Sequence, residues 1–148
     1  MNNFPRTVEE ITPEWLTQVL RESGAIDSAS VGSLTVKTIG DDQGMTADVV
    51  RIGLNYDREE PNAPRSVIAK LHRPWGSVDD SALSDVLRKT YEREVRFFKE
   101  LGSDSGMAVP RLHVAEFDET PAEFILLLED LSNLRAVDQA DDCSLEDA

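Results

Sequence analysis

One carboxylate interrupts an otherwise apolar helical stripe in this chain, and one lysine interrupts the short apolar strand ahead of it. The strand is Ser66-Val67-Ile68-Ala69-Lys70-Leu71-His72, a run of the kind buried in a sheet. The helix covers Leu87 to Leu101, where Leu87, Tyr91, Glu94, Phe98 and Leu101 recur at helical spacing. Glu94 is the charged member of that stripe. An ion taken out of water alone is expensive, so each of the two requires a partner. The pattern calls for a fold that packs this helix on the sheet and pairs Lys70 with Glu94. Taken alone, Lys70 also fits a lysine that snorkels from a strand end with its head in water. Glu92 is the rival carboxylate. It lies about 200° around the helix from Glu94, beside Arg88, Arg96 and Lys99, and reads as a surface partner.

The rest of the chain supplies the elements around that pair. Thr12-Pro13-Glu14-Trp15-Leu16 opens a helix: Thr12 caps, Pro13 takes the first helical position and Glu14 suits the positive end. Ile11 staples onto Leu16, and Trp15, Leu16, Val19 and Leu20 form one apolar face. Gly24 ends the helix. Leu34 to Ile39 and Thr46 to Tyr56 read as a hairpin around Gly40-Asp41-Asp42-Gln43-Gly44, with Val50, Ile52, Leu54 and Tyr56 on one face. Asp57 to Arg65 is a polar connection, Ser66 to His72 the third strand, and Asp80 to Leu101 a long helix. Leu112 to Phe117 and Glu123 to Leu128 form a second hairpin that turns at Asp118-Glu119-Thr120-Pro121. The expected class is α+β, a five-stranded antiparallel sheet with one long packed helix and an N-terminal helix.

Length and charge bound the function. The 148 residues suffice for one domain with its own core. A formal net charge of −14 argues against a nucleic-acid backbone or an anionic membrane as partner. Any phosphate site must then be built locally, against the field of the whole chain. Cys143 is the single cysteine, so no internal disulfide is expected and a cytoplasmic location fits. From Glu129 to Ala148 there are seven acidic residues against one basic residue, Arg135. Residues 1–131 therefore read as one domain, and 132–148 as an acidic linker. Ser144-Leu145-Glu146-Asp147 is a helix-opening capping box. It reads either as the start of a further lobe or as a frayed tail. His72 and His113 lack a ligand-type neighbourhood and read as structural, Trp15 and Trp75 read as packing residues, and Asp138, Asp141 and Asp142 read as solvated linker. No metal ligands and no catalytic residues are expected in this stretch.

Four segments in order resemble the amino-terminal lobe of the aminoglycoside phosphotransferase and choline kinase-like superfamily, on its ecdysteroid-kinase-like (CHK kinase-like) branch. They are Gly40-Asp41-Asp42-Gln43-Gly44-Met45-Thr46, Val67-Ile68-Ala69-Lys70, Tyr91-Glu92-Arg93-Glu94-Val95-Arg96-Phe97-Phe98 and Leu127-Leu128-Glu129-Asp130-Leu131. The resemblance implies a protein-kinase-like N-lobe that binds ATP with magnesium. It implies that Lys70 holds the nucleotide phosphates and Glu94 orients it. It implies that Gly40, Gln43, Gly44, Met45 and Thr46 close over the phosphates, and that Ile68 lines the adenine pocket. Glu129, Asp130 and Leu131 become the hinge whose backbone meets adenine.

The chain also departs from the family pattern. Only Gly40 and Gly44 frame the loop, and Asp41 and Asp42 stand where phosphate charge would approach. The family's catalytic aspartate and metal ligands lie in a carboxy-terminal lobe with an H-G-D motif, and neither His72 nor His113 precedes Gly-Asp. The expectation is the nucleotide-binding lobe of an ATP-dependent, hydroxyl-directed small-molecule phosphotransferase, inactive by itself, with a downstream lobe or self-association covering its free side. The rival is a non-catalytic α+β interaction module that keeps the Lys70–Glu94 pair as structure.

Overall fold

The computed structural model describes residues 4–39, 47–73, 81–102 and 105–134, with 81–84 described by backbone alone. Five strands, β1 (Val31–Thr38), β2 (Ala47–Tyr56), β3 (Ser66–His72), β4 (Leu112–Glu119) and β5 (Ala122–Glu129), form one antiparallel sheet in the order β1-β2-β3-β5-β4. Helix α1 (Pro13–Glu22) precedes the sheet, and helix α2 (Ser81–Arg96) runs between β3 and β4. The class is α+β, as expected. Among the described residues, no helix is long and apolar enough to cross a membrane.

The two sheet faces are covered differently. On one face Phe4, Ile11, Leu16, Val19, Leu20 and Ile26 pack on alternate residues of the strands, including Val50, Ile52, Leu54, Val67, Ala69, Leu71, Ile125 and Leu127. On the other, Tyr91 and Val95 of α2 pack with Ala47, Ala115, Phe124 and Leu126. Tyr91 and Phe124 place their ring centroids 4.6 Å apart. Strand β5 is therefore covered on both sides, which explains why Phe124-Ile125-Leu126-Leu127 is continuously apolar rather than alternating. Each such side chain, fully buried, contributes about 1.5–3 kcal/mol.

The local signals hold. Thr12 Oγ1 accepts the Trp15 N–H at 3.2 Å, Pro13 takes the first helical position, and Gly24 ends α1 at φ +67°. Strand β3 has the expected bounds. Glu92 pairs with Arg88 and Arg96 on the surface, as its position around the helix requires. Lys99 instead reaches Glu116 at 3.5 Å.

Three expectations change. Strand β1 begins at Val31, earlier than its alternation showed, because an irregularity between Val31 and Ser33 breaks the period there. The second hairpin keeps its ladder through Glu119 and resumes it at Ala122, so Asp118 and Glu119 belong to the strand and not to the turn. Leu101 leaves the apolar stripe and is 56% exposed. The cause is a π-helical turn at Phe97–Leu101, where the Gly102 N–H reaches the Phe97 carbonyl at 2.8 Å. Bonding five residues back widens the turn, so each residue advances less around the axis than α spacing assumes.

Candidate functional site

Strand alternation decides what the second sheet face carries where α2 does not lie. Helix α2 packs against β4 and β5. Since Val50, Ile52 and Leu54 point into the first core, Val49, Arg51 and Gly53 of β2 face the other way. Cross-strand register puts Val49 beside Lys70, Arg51 beside Ile68, and Gly53 beside Ser66. On the far sides Lys37 pairs with Arg51, and Leu128 with Ile68. The face is a grid: Val49 and Lys70 in one row, then Lys37, Arg51, Ile68 and Leu128, then Gly53 and Ser66. Successive rows lie about 6.6 Å apart, two residues of strand rise.

Lys70 and Glu94 meet at the edge of α2. Lys70 Nζ donates to Glu94 Oε1 at 2.6 Å and Oε2 at 2.8 Å. Each side chain is 29% exposed, so the pair borders solvent while its stems are covered. Lysine on a strand and carboxylate on the helix that follows are thus brought together as the stripe required.

A second ion pair stands at the other end of the grid. Asp130 directly follows β5, and its side chain is only 4% exposed. It accepts Arg51 Nε at 2.8 Å, Ser66 Oγ at 2.6 Å and the Ser132 N–H at 2.9 Å. Burial pushes the Asp130 carboxyl upward, but the hydrogen bonds from Ser66, Ser132 and Arg51 outweigh it and hold it below the usual carboxylate range. The hinge segment Glu129, Asp130 and Leu131 is therefore tied by its middle side chain to β2 and β3. Glu129 is exposed, and its carboxylate accepts the Arg111 N–H at 3.1 Å. The role of the Asp130 side chain and the presence of Arg51 on this face were not read from sequence. The alternation of β2 carried the signal for Arg51; nothing local carried it for Asp130.

The structure thus brings Lys70, Glu94 and Ile68 to one face, with Glu129, Asp130 and Leu131 at its end. Gly40, Gln43, Gly44, Met45 and Thr46, with Asp41 and Asp42, lie outside the described residues, as do Trp75 and the acidic stretch from Arg135 onward.

The face fits a ligand with an anionic group near Lys70 and an apolar or planar part near Ile68 and Leu128. Among the described residues, no three His, Cys, Asp or Glu side chains gather as a metal site. The Glu94 and Asp130 carboxylates are engaged by Lys70 and Arg51, so the described residues do not by themselves make a magnesium site.

The histidines lie elsewhere. His72 is buried, with Nε2 3.7 Å from Glu123 Oε1. His113 Nδ1 is 3.1 Å from Ser23 Oγ; burial, helped by the nearby Arg111 charge, pushes its pKa down to about 4. His113 borders a cavity of about 430 Å³, with Arg65 and Arg111, that takes in Ser66, Glu129 and Asp130 at the end of the face but not Lys70, Glu94 or Ile68.

No protein-family model matches the chain, and no curated protein matches it either.

Proposed function

We propose that this chain is a kinase-like nucleotide-binding lobe, the part of an ATP-dependent small-molecule phosphotransferase that holds the nucleotide. The observation that carries the reading is the Lys70–Glu94 contact of 2.6 Å, at the edge of the sheet face that α2 covers among the described residues. In kinases a lysine on the third strand pairs with a glutamate on the next helix and holds the nucleotide phosphates. Lys70 is on β3, Glu94 is on the following helix, and the helix lies between the third and fourth strands. In this reading Lys70 meets the phosphates, Glu94 keeps the ammonium on the open face, and Ile68 with Leu128 supports the adenine. The Glu129–Leu131 backbone runs along the adenine edge. A small-molecule alcohol is the acceptor. Magnesium, when bound, neutralises phosphate charge. Its ligands and the catalytic base belong to a further lobe.

The lobe by itself binds ATP weakly and transfers nothing. Its net charge of −14 opposes nucleotide approach, and Lys70 supplies only part of a phosphate cradle. The test is a titration of the ¹⁵N-labelled chain with ATP at millimolar concentration, alongside an assay for phosphate release. Expected are shift changes confined to the Lys70 and Ile68 rows, lost in Lys70→Met, and no turnover. Magnesium-dependent turnover that survives Lys70→Met would overturn the reading. A chain that responds to no nucleotide and stays monodisperse favours the non-catalytic interaction module.

A further inference from the structure

Arg51 is a cation of this face that the functional reading leaves without a role. It stands on the open sheet face, in the row of Ile68 and Leu128 and one row from Lys70. Its side chain is 34% exposed, yet its Nε is bound at 2.8 Å by the buried carboxylate of Asp130. The contact is made along one edge of the fork: Nη2 is already 3.5 Å from Asp130 Oδ1. Nη1, at the other edge, makes no hydrogen bond among the described residues. Asp130 is fixed in turn by Ser66 Oγ at 2.6 Å and by the Ser132 N–H at 2.9 Å, so the guanidinium is braced rather than free to swing. A braced, planar, weakly hydrated cation beside the apolar Ile68, with Leu128 beyond it, is a surface on which an aromatic ring stacks. A lysine in its place would offer a point charge and no plane. Gly53, next along β2, presents no side chain to this face; a Cβ there would come within 2.6 Å of Thr35 Oγ1.

We infer that Arg51 forms the stacking wall for the nucleobase, and that Asp130 is the positioning residue that holds its guanidinium flat beside Ile68. The inference rests on the nucleotide reading above and divides the site in two. Lys70 senses the triphosphate; Arg51 senses the base. The selected ligand class is a purine nucleotide, read through its ring as well as its charge. The Asp130 side chain acts through Arg51 and does not itself touch the ligand.

The division is tested with two half-ligands, adenosine and inorganic tripolyphosphate, each titrated into the full ¹⁵N-labelled chain. Wild type is expected to bind both at millimolar concentration. Arg51→Met is expected to weaken adenosine about fivefold, the scale of a cation–π contact, and to leave tripolyphosphate unchanged. Lys70→Met is expected to do the reverse. Asp130→Asn keeps the side-chain shape and is expected to reproduce part of the adenosine loss alone. Arg51→Lys retains the charge and, if Arg51→Met fails to fold, serves in its place; it too is expected to lose adenosine. Adenosine affinity undiminished in a folded Arg51 variant overturns this inference and leaves the nucleotide reading standing. Equal loss of both half-ligands shows that Arg51 only supports the fold, and also overturns it. Binding of neither half-ligand to wild type overturns the nucleotide reading, and this inference with it.

Discussion

Lys70 Nζ lies 2.6 Å from Glu94 Oε1, so one ion pair joins the third strand to the long helix across 24 residues of sequence. Both side chains are 29% exposed, between a surface pair that contributes little and a buried pair that is costly to break. A double-mutant cycle with Lys70→Met and Glu94→Gln, read by urea denaturation, is expected to give a coupling of about 1 kcal/mol. A coupling indistinguishable from zero would mean that solvent screens the pair and that it does not anchor α2.

The acid response should come in two stages. The folded-state pKa of His113 is pushed down to about 4 from 6.5, first by burial and then by the Arg111 charge. Between those values the unfolded chain binds the extra proton, so stability falls as pH drops through that window. The carboxyls of Glu60, Asp57 and Asp130 are held below their ordinary values. Glu60 is lowered chiefly by the Ala29 N–H and Asp57 chiefly by the Ser30 N–H, while at Asp130 hydrogen bonds override burial. Their stabilisation is fully present only above the ordinary values, 4.5 for Glu60 and 3.8 for the two aspartates, and is lost as pH falls through and below them. Melting temperatures at half-unit pH steps should show both stages. His113→Asn should flatten the first and leave the second; a first stage that persists in that variant assigns it to another group.

Gly24→Ala is expected to destabilise the fold by about 1 kcal/mol. The nearest atom to a Cβ placed there is Arg111 Nη2 at 3.8 Å, so there is room and no clash. The penalty comes from φ +67° alone. Gly24→Asn should therefore be milder, because asparagine tolerates the left-handed region. Equal urea midpoints for the alanine variant and wild type would show that the turn relaxes without penalty.

Phe124→Ala is expected to remove about 3–5 kcal/mol, enough to unfold much of the population. Phe124 is fully buried, stacked on Tyr91 where β5 meets α2. Val36→Ala, at a position 44% exposed on the edge strand, should stay within about 0.5 kcal/mol. Thermal denaturation separates the two, and a mild Phe124→Ala would mean that α2 closes the cavity by sliding on the sheet.

Local chemistry was legible in the residues themselves. The Thr12 cap, the Gly24 stop, the bounds of β3 and the inward face of β2 all follow from short-range rules: a hydroxyl for an orphan N–H, a left-handed turn that favours glycine, a two-residue period. The Lys70–Glu94 pair was legible for a related reason, since an ion inside an apolar stripe must be matched. Tertiary structure alone decided the contacts that join distant segments. Arg51 meets Asp130 across 79 residues, and Arg6 reaches Asp118 across 112. The Glu60 carboxylate gathers the N–H groups of Asp27, Ser28 and Ala29. Each of these is a charged residue in a polar setting, where sequence offers several equally good partners. The choice among them is made by strand order, with β5 inserted between β3 and β4, because that order determines which chain ends come within reach. Periodicity tells each strand which side to bury; only assembly of the sheet tells it which neighbour it has.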